Sequence, residues 1–283
     1  MSKTKSLFGA LIVALALVPT GKAMAQRDRD RDRDRDRGDA DWLDDCRNQR
    51  GDRWERETFC EIRNAGVRNP GSSITMDGLR NGGVIVTGWD RDSMAISTRI
   101  QVRARSQSVA RDIASQIRTV VRGGDVYVEG PRNDEDVNWS ASIYAMVPRR
   151  SNLRVGTRNG PLSVENVKGD MDLQTSNGPL SLRDLGGSVR ARTSNGPLTI
   201  SLDGSRWDGS GLEARTTNGP LTISVPDGYN ARLEAGTTNG PVSLGFPITV
   251  VGRITRDIAT NLGSGGATIR ATTTNGPLSI RRK

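Results

Sequence analysis

Apolar residues recur at every second position on both sides of an eight-residue phrase, TSNGPLSL at Thr175–Leu182 and TSNGPLTI at Thr193–Ile200. Near-copies begin at Thr157, Thr216, Thr237 and Thr273. Before the phrase, one column reads Leu153, Met171, Val189, Leu212, Leu233, Ile269, and two residues later a second reads Val155, Leu173, Ala191, Ala214, Ala235, Ala271. After it come Leu162, Leu180, Leu198, Leu221, Val242, Leu278 and then Val164, Leu182, Ile200, Ile223, Leu244, Ile280, with Ser or Thr always between them. Period-two alternation puts one face in and one out, so each copy is predicted to hold two strands.

The phrase asparagines, Asn159, Asn177, Asn195, Asn218, Asn239 and Asn275, are spaced by 18, 18, 23, 21 and 36 residues, the last being twice 18. A near-fixed period of this size marks a stacked repeat. Asn-Gly supplies positive-φ residues for a sharp corner, and proline is tolerated at a strand's first residue. Stacked asparagines and threonines there can hydrogen-bond from rung to rung as a structural corner ladder. Asn-Gly also suits a two-residue hairpin, so an antiparallel meander is the rival. A meander has no reason to repeat one corner every second strand, which favours an all-β, single-chain parallel β-solenoid (a β-helix) of roughly 18–23-residue coils.

An outward column, Arg154, Asp172, Arg190, Glu213, Glu234, Arg270, mostly alternates in sign along the chain, as parallel stacking favours. Glu213 beside Glu234 breaks that alternation. The 23-residue interval holds an extruded loop, SLDGSRWDGSG (Ser201–Gly211), and the 36-residue interval a degenerate coil around FPITVVGRITRDIATNLGSGG. RNGGVIV (Arg80–Val86) and RGGDVYV (Arg122–Val128) read as worn copies, so the solenoid begins near Ile74. One amphipathic helix interrupts it near 106–120, where Val109, Ile113, Ile117 and Val120 fall on one face. The last repeat ends in SIRRK, an exposed final strand whose Arg281, Arg282 and Lys283 oppose pairing with another chain.

The N-terminus follows different rules. Lys3 and Lys5 precede an apolar run at Leu7–Val18, and small residues Ala23 and Ala25 follow, the pattern of a signal peptide over 1–25. The run is shorter than the ~20 residues a membrane span needs, so no transmembrane segment is expected after cleavage. Residues 26–41 alternate Arg and Asp without an apolar residue and are expected to form a disordered linker. Residues 42–72 carry the only two cysteines, Cys46 and Cys60, read as one disulfide of an exported protein. The β-domain then spans 73–283.

Composition narrows the function classes. Loss of Lys3, Lys5 and Lys22 with the signal lowers the formal charge from +9 to +6. Acids and bases are interspersed and aromatics are only 4% of residues, which argues against nucleic-acid binding. The chain has no histidine, metal-ligand cluster, phosphate loop or nucleophile motif, so no catalytic residue, cofactor or metal is expected. Asp170, Asp172 and Asp184 are the nearest approach to a glycosidase acid pair; Asp172 falls in the charge ladder and Asp184 in the RDLGG turn, both ordinary solvated positions. Trp207, a large aromatic in the extruded loop, is the candidate ligand contact, with packing on a neighbouring coil as its other reading. Trp89 in GWDRD reads as the anchor of a coil end.

Several stretches together carry a resemblance: NGGVIVTGWDRD (Asn81–Asp92), the Cys46/Cys60 segment, the TTNGP corners, SVPDGYNARLEAGTTNG (Ser224–Gly240) and LGSGGATIRATTTNG (Leu262–Gly276). They resemble the bacterial putative-adhesin family of β-strand-repeat domains, a domain family of unknown function. The resemblance covers nearly all of the mature chain and implies an exported β-solenoid at the bacterial envelope. It supplies no catalytic residues. The expectation is therefore a non-enzymatic envelope protein of adhesin-like or scaffold role, in the periplasm, at the cell envelope or outside the cell. Its partner would be a glycan or protein of the envelope, with the oligomeric state open. The alternatives are a β-helical polysaccharide-active enzyme and an envelope-stress accessory protein.

Overall fold

The computed structural model describes residues 38–48, 57–78, 81–133, 138–245 and 256–283. The signal peptide at 1–25 and residues 26–37 of the Arg-Asp run lie outside the described residues. Helix α1 covers 38–48, so residues 38–41 are helical rather than part of a linker. Their anchor is Asp39, whose carboxylate accepts from Ser97 at 3.0 Å and pairs with Arg99 at 2.9 Å. Arg99 also lies over the Tyr144 ring at 4.0 Å, fixing the helix to the sheet beneath. The Cys46–Cys60 disulfide ties α1 to the first strand.

In chain order, β1 (Glu57–Arg68), β2 (Ser73–Asp77), β3 (Val84–Trp89) and β4 (Ser93–Ala104) precede helix α2 (Gln107–Gln116). Then come β5 (Arg118–Arg122), β6 (Asp125–Glu129) and β7 (Asn138–Pro148). The repeats supply β8 (Asn152–Asn159), β9 (Leu162–Glu165), β10 (Lys168–Asn177), β11 (Leu180–Arg183), β12 (Gly186–Asn195) and β13 (Leu198–Ser201). They continue with β14 (Gly211–Asn218), β15 (Leu221–Val225), β16 (Ala231–Asn239) and β17 (Val242–Leu244). The chain closes on β18 (Asp257–Leu262), β19 (Thr268–Asn275) and β20 (Leu278–Arg282).

These strands form two ten-stranded sheets, in the orders β1-β4-β7-β3-β9-β11-β13-β15-β20-β17 and β18-β16-β19-β14-β12-β10-β8-β2-β6-β5. Within the repeats all neighbours are parallel, and each Asn-Gly corner carries the chain from the second sheet to the first. Matched residues pair: Met171 with Leu153 and Val189, Leu180 with Leu162 and Leu198. Leu153, Met171, Val189, Leu212, Ile269 and Leu233 are at most 4% exposed, so this column is core. Each such aliphatic contributes about 1.5–3 kcal/mol on burial. At the stack's end, Val242 and Leu244 are only half-buried.

Several expectations are corrected. The coils do not stack in chain order: β19 lies between β14 and β16, and β20 between β15 and β17. Glu213 and Glu234 are therefore not neighbours, and the SIRRK strand is interior rather than an exposed edge. The 36-residue interval contributes an antiparallel strand, β18 on β16, instead of a parallel coil. The short connection 263–267 crosses the end of β16, and so short a link can join only strands that run in opposite directions. RGGDVYV is not a second-strand copy; β6 pairs with β2 in the second sheet and forms a hairpin with β5 about Gly123, whose φ is 59°. The helix stops at Gln116; Ile117 is its C-cap and Val120 lies on β5. Arg63 donates to the carbonyls of Ala114 and Ile117, satisfying the helix C-terminus from outside.

Candidate functional site

The repeated corner is built layer on layer. Each threonine hydroxyl donates to a corner glycine carbonyl one layer away: Thr175 to Gly160 at 3.2 Å, Thr193 to Gly178 at 3.1 Å, Thr216 to Gly196 at 3.0 Å, Thr273 to Gly219 at 2.9 Å. The glycine is required by proximity. A Cβ on Gly178 would lie 2.1 Å from the Gly160 carbonyl oxygen. This corrects the positive-φ expectation for five of the six corners: neither the ladder asparagines nor Gly160, Gly178, Gly196, Gly219 and Gly240 have positive φ, and only Gly276 does, at 158°. Left-handed residues stand instead at the opposite corner, at Asn166 (φ 59°) and Asp184 (φ 47°), residue types that tolerate that region.

The asparagine side chains form one hydrogen-bonded file. Nδ2 of Asn177 donates to Oδ1 of Asn159 at 2.8 Å, and Asn195 to Asn177, Asn218 to Asn195 and Asn275 to Asn218 repeat that distance. Asn239 donates to Asn275 at 2.9 Å, following the spatial order of the coils. Asn159 donates to Asn81 at 3.1 Å, so the worn copy at 80–86 supplies a seventh rung.

A second file runs across the outer face of the second sheet. Its spatial order is Arg154, Asp172, Arg190, Glu213, Arg270, Glu234, an unbroken alternation of sign. Arg270 pairs with Glu234 at 2.6 Å, and Arg232 meets the same carboxylate at 2.9 Å. Hydrogen bonds from Arg270, then Arg232, hold the Glu234 carboxyl below its ordinary range, and Glu234 raises Arg270 in turn. At the other end the Arg154–Asp172 pair is open, at 3.9 Å. Beside it Gly156 leaves a shallow notch of about 560 Å³ flanked by Arg154, Arg158 and Gln174. Neither a steric limit nor φ demands glycine there, since a Cβ would come no closer than 4.0 Å to the Gln174 carbonyl. The matching positions hold Gln174, Arg192, Arg215 and Thr272, with a second glycine, Gly236, toward the other end of the column.

The candidate acids are dispersed among structural roles. Asp172 faces Arg154 in the ladder, Asp170 donates its backbone N–H to Asn152, and Asp184 forms the left-handed turn. Among the described residues, no group of three or more cysteine, aspartate or glutamate side chains could hold a metal ion. Trp207 does not offer its ring to solvent as a ligand contact would: it is 6% exposed and its indole N–H donates to the Gly187 carbonyl at 3.0 Å. Trp89 is also buried, donating to Ser93 O at 2.7 Å beneath the Arg91 guanidinium. Tyr229 is buried, and burial, with Asp184 and Asp203 nearby, pushes its phenol up to about 12.

Two mostly parallel sheets joined by stacked Asn-Gly corners define a mostly β ladder protein. The chain belongs to the Toastrack DUF4097 family, whose model matches residues 93–281. No curated protein matches the sequence. Among solved structures it is similar to a putative cell adhesion protein from Clostridium sporogenes ATCC 15579, with 10% identity over 80% of this chain and 100% of that one, at TM-score 0.43. It is also similar to a putative adhesin from Bacteroides fragilis NCTC 9343, with 12% identity over 79% and 97% of the two chains, at TM-score 0.36. A third likeness is to a putative lipid binding protein from Parabacteroides distasonis ATCC 8503, with 10% identity over 78% and 96%, at TM-score 0.32. Likeness of this degree carries no conclusion about ligands. Among the described residues, no helix is long and apolar enough to cross a membrane.

Proposed function

We propose that the protein is a non-enzymatic, exported scaffold of the cell envelope with an adhesin-like role, built as a parallel β-solenoid of roughly 18–23-residue coils. In this reading the signal peptide at 1–25 exports the chain, the Arg-Asp run tethers it, and the N-terminal segment is stapled by its disulfide. The observation that carries it is the continuous outward file from Arg154 to Glu234. Its charged residues alternate in sign from strand to strand across one sheet rather than converging on a reacting atom. Ladder surfaces of this kind present long, regular faces suited to binding. In this reading the notch at Gly156, flanked by Arg154 and Arg158, receives a ligand backbone or ring.

The test incubates the purified mature chain with cell-wall polysaccharide and envelope fractions, measuring retention and release of soluble fragments. Retention without fragment release, weakened in Arg154→Ala/Arg158→Ala, is the expected result. Fragment release abolished by Asp172→Ala or Asp184→Ala would overturn it in favour of an enzyme.

A further inference from the structure

All six bonds of the asparagine file point the same way, each Nδ2 donating toward the rung nearer Asn81. Aligned amides polarise one another, so the file as a whole has a donor end and an acceptor end. The donor end is Asn81. Its Oδ1 accepts from Asn159, and its Nδ2 has no acceptor among the described residues. Asn239 Oδ1 closes the opposite end.

The layer beyond Asn81 consists of β6 and β7, which pair with β2 and β3. Among the described residues, no asparagine side chain from this layer bonds to Asn81. A cleft of about 500 Å³ opens beside Asn81, lined also by Gly130, Pro131, Arg132 and Asn133 after β6. That volume falls in the range of about 300–1,000 Å³ usual for small-molecule sites. Its walls include Val128, Pro131 and Trp139, and Glu129 and Arg132 line it as well. The apolar wall is held rigid: the Trp139 indole donates to Pro131 O at 2.8 Å, and Asn133 bridges both backbone groups of Trp139, at 3.0 Å and 2.8 Å.

We propose that this cleft binds a secondary amide bearing a small apolar group, the acetamido group of an N-acetylated sugar, which continues the asparagine file by one rung. The ligand carbonyl accepts from Asn81 Nδ2, its N–H has the Glu129 carboxylate as acceptor, and its methyl group lies against Val128 and Trp139. Among the described residues, one anion, Glu129, and one cation, Arg132, line the cleft, so a charged ligand gains from one and loses to the other. A neutral amide uses both a donor and an acceptor without that conflict. The inference rests on the binder reading above and names the ligand chemistry for a second place on the same scaffold.

The experiment titrates the full mature chain with N,N′-diacetylchitobiose, and separately with cellobiose, following side-chain amide resonances and heat of binding. The acetylated disaccharide is expected to bind at least about tenfold more tightly and to shift the Asn81 amide, consistent with one hydrogen bond to a half-buried partner. Asn81→Asp keeps an oxygen for Asn159 to donate to while removing the head donor, so it preserves the file and is expected to lose that tenfold preference. Glu129→Gln, which leaves an acceptor oxygen, is expected to retain most of it. Equal binding of the two disaccharides, no binding of either, or an unchanged preference in Asn81→Asp overturns the proposal. If envelope retention persists in those cases, the cleft assignment fails alone; if retention is absent as well, the scaffold reading fails with it.

Discussion

Arg270 on β19 stands directly between Glu213 on β14 and Glu234 on β16, although both acids precede it in the chain. The last coil thus resolves a like-charge contact that stacking in chain order would create. Exposed pairs contribute little individually, so Arg270→Ala is expected to lower the urea unfolding midpoint only slightly. Arg270→Glu, which aligns three acids, should lower that midpoint clearly further. Because these charges are solvent-exposed, raising the salt should recover part of the Arg270→Glu loss but little of the Arg270→Ala loss.

Corner glycines and Gly156 make a paired test of why glycine is present. Gly178→Ala drives a methyl group into the Gly160 carbonyl, 2.1 Å from the ideal Cβ position, and the backbone must shift. A loss of about 2–3 kcal/mol is expected, in the range of overpacked cores. Gly156→Ala meets no atom closer than 4.0 Å and is expected to be neutral or slightly stabilising. Equal costs at the two sites would contradict the account of the corner.

Within the asparagine file, an interior rung makes two side-chain bonds and a terminal rung one. Asn195→Ala removes donation to Asn177 and acceptance from Asn218, whereas Asn239→Ala removes only donation to Asn275. At about 1 kcal/mol per hydrogen bond, thermal or urea unfolding should report about 2 against about 1 kcal/mol.

Reduction of Cys46–Cys60 opens a loop with a sequence separation of 14. The chain-entropy model gives about 3 kcal/mol for such a loop. The repeats do not depend on this bond, so hydrogen exchange should accelerate in α1 and β1 while protection across β10–β14 is unchanged.

Tyr229 makes alkaline stability a sensitive readout. Its folded value of about 12 lies above the ordinary value of 10.0, so the folded state holds the proton more tightly. The stability it contributes is complete below pH ~10 and is lost as pH rises from there through ~12, by about 2–3 kcal/mol. Tyr229→Phe should flatten the stability profile over that window.

The repeat architecture was legible wherever burial alone decided the residue. The four apolar columns, the inward threonines and the corner asparagines occupy matched positions in both sheets, because period-two alternation leaves little choice of face. Spatial order of the coils was not legible from spacing, since equal coils fit one another in any sequence. Only the charges distinguish them, and the Glu213–Glu234 conflict together with the arginine at 270 was the available signal. The role of the corner glycine was misread because Asn-Gly is consistent with both a left-handed turn and close stacking, and only the interlayer distance separates them. At the ends, β1, β4 and β18 run antiparallel under constraints from short connections rather than from side-chain pattern. The head of the asparagine file was visible only as a worn RNGG, with nothing in that segment to announce the cleft beside it.

Placement of β19 and β20 inside the stack has a consequence for biogenesis. A chain emerging from N- to C-terminus cannot finish its second-to-last layer as it emerges, because the partner that must slide in between has yet to appear. Loss of even the final sixteen residues would therefore leave a gap within the body rather than a shorter rod, so a prematurely terminated product exposes interior aliphatics and becomes a target for proteolysis instead of a functional fragment.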